Sequence, residues 1–341
     1  MKKKTKYNVA VVGVGAVGIE MLRCLKKRKF PMGELRVFAR SSRDINVDGE
    51  IYSVKPISSE GFCGIDIALF AGTEGEKGAA LTYAKDALNC GAVVIDNGAD
   101  FRMDPKVPLV IPEVNPQDIK THKGIIANPN CSTIQMVVAL SPIYKKAGIK
   151  RVIVTTLQAS SGAGKAAVEQ LRQENSLIAG NNYANVHVHA QSRAMPQQLA
   201  YNVFPHIGGF IDDDYTSEEW KLVKETHKIL HDNKIKLSAT TVRVPVRTGH
   251  SEAVYLETRK IISPDAVRKI LSKSPGVIVI DDPKKNLYPM PKDAEGKAQT
   301  FVGRIRKDPF VKNGLWLWVV ADNLLKGAAL NAVQIAECLV S

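Results

Sequence analysis

The sequence has 341 residues, 45% of them hydrophobic and 24% charged, which is long enough for two packed domains and too ordinary for a disordered chain. No apolar run reaches the roughly 18 residues that a membrane span requires, and residues 1–6 lead into a strand without a secretory apolar region, so a cytoplasmic protein without a membrane partner is expected. The net charge of +13 suits an anionic partner, but the basic residues are spread along the chain with no aromatic RNA-binding or helix-turn-helix pattern. Phosphorylated small molecules are therefore expected, and no nucleic acid.

The first predicted element is a strand at 8–13 (NVAVVG), followed by the glycines of GVGAVG and by apolar residues at helical spacing over 19–27. This order of strand, glycine turn and helix predicts a dinucleotide site, with Gly13, Gly15, Ala16, Val17 and Gly18 turning around a pyrophosphate. The next strand, 34–39 (ELRVFA), ends at Arg40, Ser41, Ser42 and Arg43. An NAD-selective site carries a carboxylate there for the ribose hydroxyls, whereas two cations and two hydroxyls suit a 2′-phosphate. NADP is the expected cofactor, and Asp44, just beyond, is the feature that suits NAD.

Strand-like runs at 66–70, 92–95, 109–111 and 124–127, with a helix at 78–89, predict a parallel doubly wound sheet. Ala71, Gly72 and Thr73 fall at the carboxyl end of one of these strands, where such sheets bind ligands. The string Asn128-Pro129-Asn130-Cys131-Ser132-Thr133 then opens into an apolar helix over 134–140. Cys131 falls near the first turn, where the helix dipole and free N–H groups favour a thiolate, the nucleophile that carbonyl chemistry needs. Position alone leaves an inert buried cysteine equally open. The five cysteines are scattered, with no CxxC pair and no metal spacing, which predicts a reducing compartment and no metal. The other four read as small buried hydrophobes.

Strands predicted at 151–157, 238–246 and 253–257, many with two-residue alternation, imply an α+β second domain whose sheet has one covered face, and 314–320 is a further strand. Trp316 and Trp318 alternate with leucines, suiting a core or a subunit contact. The stretch 180–189 carries His187 and His189 without cysteine or carboxylate partners in register, so metal binding is not expected there. Taken singly, His250 reads as a loop histidine and Arg243 as a surface charge on a strand.

Taken together, NPNCSTIQM, LQASSGAGKAAVEQL, VRVPVRTGHSE, IDNGADFRMD, VPLVIPEVNP and DNLLKGAALNAVQIAE resemble the aspartate-semialdehyde dehydrogenase family, over nearly the whole chain. The glycine turn is one residue shorter than that family's usual GxxGxxG, and RSSRDINVDG lacks its RSAG ending. The resemblance implies an α/β protein with an N-terminal Rossmann-like doubly wound domain over 1–130, completed by the C-terminal helix 322–341. It implies an α+β catalytic and dimerisation domain over 131–321, and a homodimer or homotetramer. By the same resemblance Cys131 is the nucleophile, Gln158 the substrate-orienting amide and His250 the acid/base. Arg243 binds the substrate carboxylate, Glu218 its amino group, and Arg102 and Lys221 its phosphate, with Asn130 also at the substrate. Ser161, Gly162 and Asn323 fall on the cofactor side.

The implied reaction interconverts aspartyl phosphate and aspartate semialdehyde, with phosphate and NADP, on the route to lysine, threonine and methionine. A related reductase of an acetylated glutamyl phosphate or an acyl-CoA is the near alternative, against which Glu218 speaks because an acetylated amine does not reward a carboxylate. A non-catalytic cofactor sensor is the distant one, and the complete Cys/Gln/Arg/His set speaks against it.

Overall fold

β1 (Tyr7–Val12) becomes the central strand of a sheet because every residue from Val9 to Val12 is apolar and small or β-branched, suited to burial on both faces. The computed structural model describes residues 3–72, 78–180 and 194–341. β1 is joined by β2 (Met32–Ala39), β3 (Arg43–Val47), β4 (Glu50–Pro56), β5 (Ile67–Phe70), β6 (Val93–Asp96) and β7 (Ile125–Ala127), in the order β3-β4-β2-β1-β5-β6-β7. All neighbours are parallel except the edge hairpin of β3 and β4.

Successive side chains of a strand face opposite ways, which sorts the two helical layers. Ala10, Val12, Ala68, Phe70 and Val94 share a core with Ala80, Ala84 and Ala87 of α2 (Ala79–Asn89). Val9, Val11, Ile67 and Leu69 point the other way, toward α1 (Ala16–Lys27) and the C-terminal helix Leu330–Val340. That last helix is fastened by Asn331, whose Nδ2 donates to Val110 O at 3.0 Å and to Asn128 Oδ1 at 2.7 Å, and by Arg28 Nε, 2.6 Å from Glu337 Oε1.

Two local expectations change. The run 109–111 adds no strand to the sheet; it makes a single bridge, Leu109 to Ala127. The reason is Asn115, whose side chain takes Leu109 O and Ile111 N, both at 2.9 Å, in place of a ladder partner. The hairpin of β3 and β4 was not anticipated, although Asp48 and Gly49 turn it with φ of 53° and 87°, the left-handed pair that a two-residue hairpin needs.

The chain divides into two compact units, Met1–Ile134 with Lys228–Leu230 and Gly327–Ser341 in one, and Gln135–His227 with His231–Lys326 in the other. The division falls inside α3 (Cys131–Ala147). The second unit is built on a mixed sheet of β8 (Ile149–Gln158), β9 (Lys236–Arg243), β10 (His250–Thr258), β11 (Val277–Val279), β12 (Thr300–Lys307) and β13 (Gly314–Ala321), in the order β11-β12-β13-β10-β8-β9. Its helices include α4 (Lys165–Ala179) and α5 (Ser217–Leu230).

One face of β10 is closed: His250, Glu252, Val254, Leu256 and Thr258 are all 0% exposed. On the other face Tyr255 packs against half-buried Trp316, with Arg306 over the same indole and Ile153 exposed nearby on the sheet. Residues 181–189 of the histidine-bearing stretch lie outside the described residues. Among the described residues no helix is long and apolar enough to cross a membrane.

Candidate active site

In the first unit the chain leaves β1 through Gly13, at φ +98°, whose N–H donates to Phe38 O at 2.8 Å. A Cβ on Gly18 would lie 1.8 Å from Gly13 O, so the turn closes only with glycine there. Gly15 differs: nothing lies within 4 Å of where its Cβ would be. It is the N-cap of α1, with no side-chain cap and no acidic residue in the first turn. The N–H groups of Ala16, Val17 and Gly18 thus stand at an uncapped helix start beside open space, which fits a phosphate group.

The sheet order supplies the second argument, since β2 and β5 flank β1 on opposite sides and the chain reverses direction across the sheet at their carboxyl ends. Ala71 follows β5 with its Cβ 3.4 Å from the position a Gly13 Cβ would take, and Gly72 turns at φ +78°. Arg40, Ser41 and Ser42 are exposed at the end of β2, and Arg43 Nη1 reaches Ser41 Oγ at 3.2 Å. Asp44 sits within β3, paired with Ser53, and not in the loop. Thr73 lies outside the described residues.

Also in the first unit, Asn130 caps α3: its carbonyl accepts from Ile134 N at 2.9 Å and its Oδ1 from Ser132 N and Thr133 N at 3.0 and 3.3 Å. Cys131 is therefore the first helical residue, half-buried, with its sulfur at the positive end of the helix. Arg102, buried, donates from Nη2 to Asn97 O at 2.8 Å. Asp96 ends β6 with one oxygen accepting from Gly98 N at 2.8 Å, and burial pushes its carboxyl up to about 6. Sequence reading missed Asp96; the one available signal was a lone acid closing an apolar strand.

In the second unit Gln158 and Arg243 stand in register at the carboxyl ends of parallel β8 and β9, and His250 begins antiparallel β10. All three are buried, so the histidine is a strand residue and the arginine is no surface charge. Ala159 anchors two of them, its N–H donating to His250 Nδ1 at 3.0 Å and its carbonyl accepting from Arg243 Nη1. With Nδ1 occupied as an acceptor, the neutral imidazole carries its proton on Nε2. Burial first, then the Arg243 charge, lowers the histidine to about 3, with Glu218 pulling the other way.

Glu218, 5% exposed on α5, accepts from Gln158 Nε2 at 3.2 Å and from Lys221 Nζ at 3.1 Å, so this pair is no solvated surface bridge. Thr156 Oγ1 donates to Gln158 Oε1 at 3.0 Å, which fixes the amide's orientation. A Cβ on Gly162 would lie 3.0 Å from His250 Cε1 and 3.4 Å from Arg243 Nη1. Asn323 accepts from Gly249 N at 2.9 Å and exchanges hydrogen bonds with Ser161, bracing the approach to His250.

Among the buried acids of this unit that were not foreseen are Glu219 and Glu252. Glu219 accepts from Thr216 N at 2.8 Å while Thr216 Oγ1 accepts from Glu219 N at 3.3 Å, a capping box that seats α5 and with it Glu218. Glu252 shares the closed face of β10 with His250; burial pushes its carboxyl well up, the Gln135 side chain opposing.

A doubly wound dinucleotide fold, a thiol at a helix start and a buried amide, guanidinium and imidazole are the working parts of nicotinamide-dependent dehydrogenases that act on a carbonyl. Two family descriptions match, "Semialdehyde dehydrogenase, NAD binding domain" over residues 8–122 and "Semialdehyde dehydrogenase, dimerisation domain" over residues 140–326. The chain is 54% identical to the aspartate-semialdehyde dehydrogenase of Aquifex aeolicus over 98% of each chain, and 47% identical to that of Bacillus subtilis over 97% of each. The solved structure of aspartate semialdehyde dehydrogenase II from Vibrio cholerae, complexed with ASA, matches with a TM-score of 0.92 at 43% identity over 99% of each chain. The chain belongs to the aspartate-semialdehyde dehydrogenase family and is an oxidoreductase.

Proposed function

We propose that the protein interconverts L-aspartyl 4-phosphate and L-aspartate 4-semialdehyde with NADP and phosphate, in lysine, threonine and methionine synthesis, through a thioester on Cys131. The observation that carries this reading is the buried network of Gln158, Glu218, Arg243 and His250. Its charges are those that a small amino acid with an activated carbonyl demands. Glu218 takes the ammonium, Arg243 takes the carboxylate bidentately, and Gln158 with His250 addresses the carbonyl.

The first unit is the cofactor domain in this reading. The turn from Gly13 to Gly18 and the first turn of α1 hold the pyrophosphate. Arg40, Ser41, Ser42 and Arg43 hold the 2′-phosphate, and Ala71 and Gly72 line the cleft. Ser161, Gly162 and Asn323 face the nicotinamide side. The placement of Asp44 inside β3 supports NADP over NAD. When bound, the cofactor supplies the hydride that reduces the acyl carbon, or takes it back.

Cys131 attacks the acyl phosphate as a thiolate, favoured by the α3 dipole; a C–S bond forms and the carbonyl electrons move onto oxygen. His250 holds its Nε2 proton toward that oxygen, and Gln158 keeps the carbon facing the sulfur. Return of the electrons expels phosphate, whose charge Arg102 and Lys221 balance, and leaves the thioester. After reduction the oxygen electrons return again, the C–S bond breaks and Cys131 is restored as a thiolate. The burial that lowers His250 keeps it neutral throughout, a donor and not a cation. A homodimer or homotetramer completes the reading, supported by the dimerisation-domain description and by the aromatic open face of β10 and β13.

The test is phosphate-dependent reduction of NADP by aspartate semialdehyde, with NAD run in parallel. Cys131→Ala is expected to lose about 10⁴-fold or more of the activity. Retained turnover in that variant overturns the mechanism, and equal turnover on the N-acetylglutamate semialdehyde overturns the substrate.

A further inference from the structure

The expectation that the cysteines other than Cys131 are buried fails for Cys63, Cys90 and Cys338, and the first two of these are not scattered either. Cys63 follows the short turn Glu60–Phe62, and Cys90 closes the end of α2. They are 27 positions apart, yet their sulfurs lie 2.9 Å from one another, both as free thiols. Cys63 is exposed and Cys90 half-buried, so reagents reach the pair from solvent.

The two segments are held face to face by more than the sulfurs. Phe62, Ile65, Ala84 and Ala87 share one apolar core, and Cys90 packs against it. Ser59 Oγ donates to Asp86 Oδ2 at 2.7 Å, and Cys90 Sγ reaches Ser59 O at 3.8 Å. A disulfide bond is about 2.05 Å long, so the sulfurs need to move together by less than roughly 1 Å in a frame already fixed by packing.

We propose that Cys63 and Cys90 are a redox-modification site, a dithiol that a low-molecular-weight disulfide such as glutathione disulfide converts to an intramolecular bridge. In the first step the Cys63 thiolate, the more accessible, attacks one glutathione sulfur, and the other glutathione leaves as a thiolate. In the second the Cys90 thiolate attacks the Cys63 sulfur, and the second glutathione leaves. The two cysteines are oxidised by two electrons, one glutathione disulfide is reduced to two thiols, and the cysteine protons pass to the departing thiolates. The hydrogen bond to Cys63 pushes the Cys90 thiol up, which suits Cys90 to the resolving role and Cys63 to the attack.

The bridge closes a loop that contains β5 and α2, so it restricts the unfolded chain and stiffens the first unit. It lies at the far end of α2 from the turn after β5, which leaves the proposed cofactor contacts in place.

The whole protein, with its five cysteines, is equilibrated anaerobically with glutathione disulfide, the remaining thiols are alkylated, and unreduced peptides are mapped by mass. The expected result is a peptide linked through Cys63 and Cys90 and a Tm raised by about 5 °C, reversed by dithiothreitol. Cys63→Ser and Cys90→Ser each abolish the rise, with activity in the reduced state unchanged. Cys90→Ser also accumulates a glutathione adduct on Cys63. Full alkylation of both cysteines across the titration overturns the proposal, as does a glutathione adduct on Cys63 that persists in the unmutated protein.

Discussion

The two units present polar groups in opposite ways. The first offers backbone: the uncapped N–H groups of α1 behind Gly15 and the start of α3, where Asn130 takes some donors and leaves the sulfur of Cys131 at the dipole. The second offers side chains packed out of water, where each must be held by another, as Thr156 holds Gln158, Gln158 and Lys221 hold Glu218, and Ala159 holds both His250 and Arg243. Backbone donors at a helix end are left over by geometry and cost little to display. A buried imidazole and guanidinium cost solvation, which the lowered His250 records. Apart from the nucleophile Cys131 and its phosphate-binding side chains, the first unit's glycine turn should therefore be sensitive to added bulk, and the second unit to changed side chains.

The largest effect that sharpens this contrast is at Arg243. Arg243→Lys keeps the charge but loses the planar fork, and we expect about a 10²-fold fall in kcat/KM for aspartate semialdehyde, read in steady-state assays. An unchanged value would mean that the second unit tolerates changed side-chain chemistry. Next comes Gly15→Ala. Its Cβ meets no protein atom, so Tm should hold while KM for NADP rises about tenfold, because the methyl group enters space a pyrophosphate needs. A lowered Tm with unchanged KM would place the glycine's role in the fold alone.

The effect on activity is smallest at Asp96, where the change falls on stability only. Its folded pKa of about 6 stands above the ordinary 3.8, so the acid favours folding below pH 3.8 and that contribution is lost as pH rises through 6. Asp96→Asn should gain on the parent protein between pH 4 and pH 6, by about 3 kcal/mol at the plateau, measured by denaturant titration across pH. A constant difference across that range would show that the carboxyl titrates alike in both states.

What could be read before the structure follows the same contrast. The glycine turn and Cys131 were legible because backbone sites announce themselves by local order: strand, glycine, helix, or strand, Asn-Pro-Asn, helix. Gln158, Arg243 and His250 are 92 positions apart from first to last and meet only because β8, β9 and β10 are neighbours, so spacing said nothing and family resemblance was needed. Asp96, Glu219 and Glu252 were invisible for a related reason, since an acid in a strand or helix start reads as solvated until burial is known. The run 109–111 misled because its apolar pattern is a strand's while Asn115, further on, takes its hydrogen bonds. The Asp48-Gly49 turn was the opposite case, a legible hairpin signal between polar strands that carry little hydrophobic alternation.

The return of Gly327–Ser341 to the first unit bears on how the chain is made. The sheet face that carries Val9, Val11, Ile67 and Leu69 is translated early together with α1, but the second helix that covers it leaves the ribosome only after every residue of the second unit has done so. The nascent N-terminal sheet must wait with that face covered by α1 alone, so the first unit is completed only after the second has been made. A stop codon just ahead of Leu330 would release a polypeptide whose later-made half is intact and whose earlier-made half has lost part of its cover.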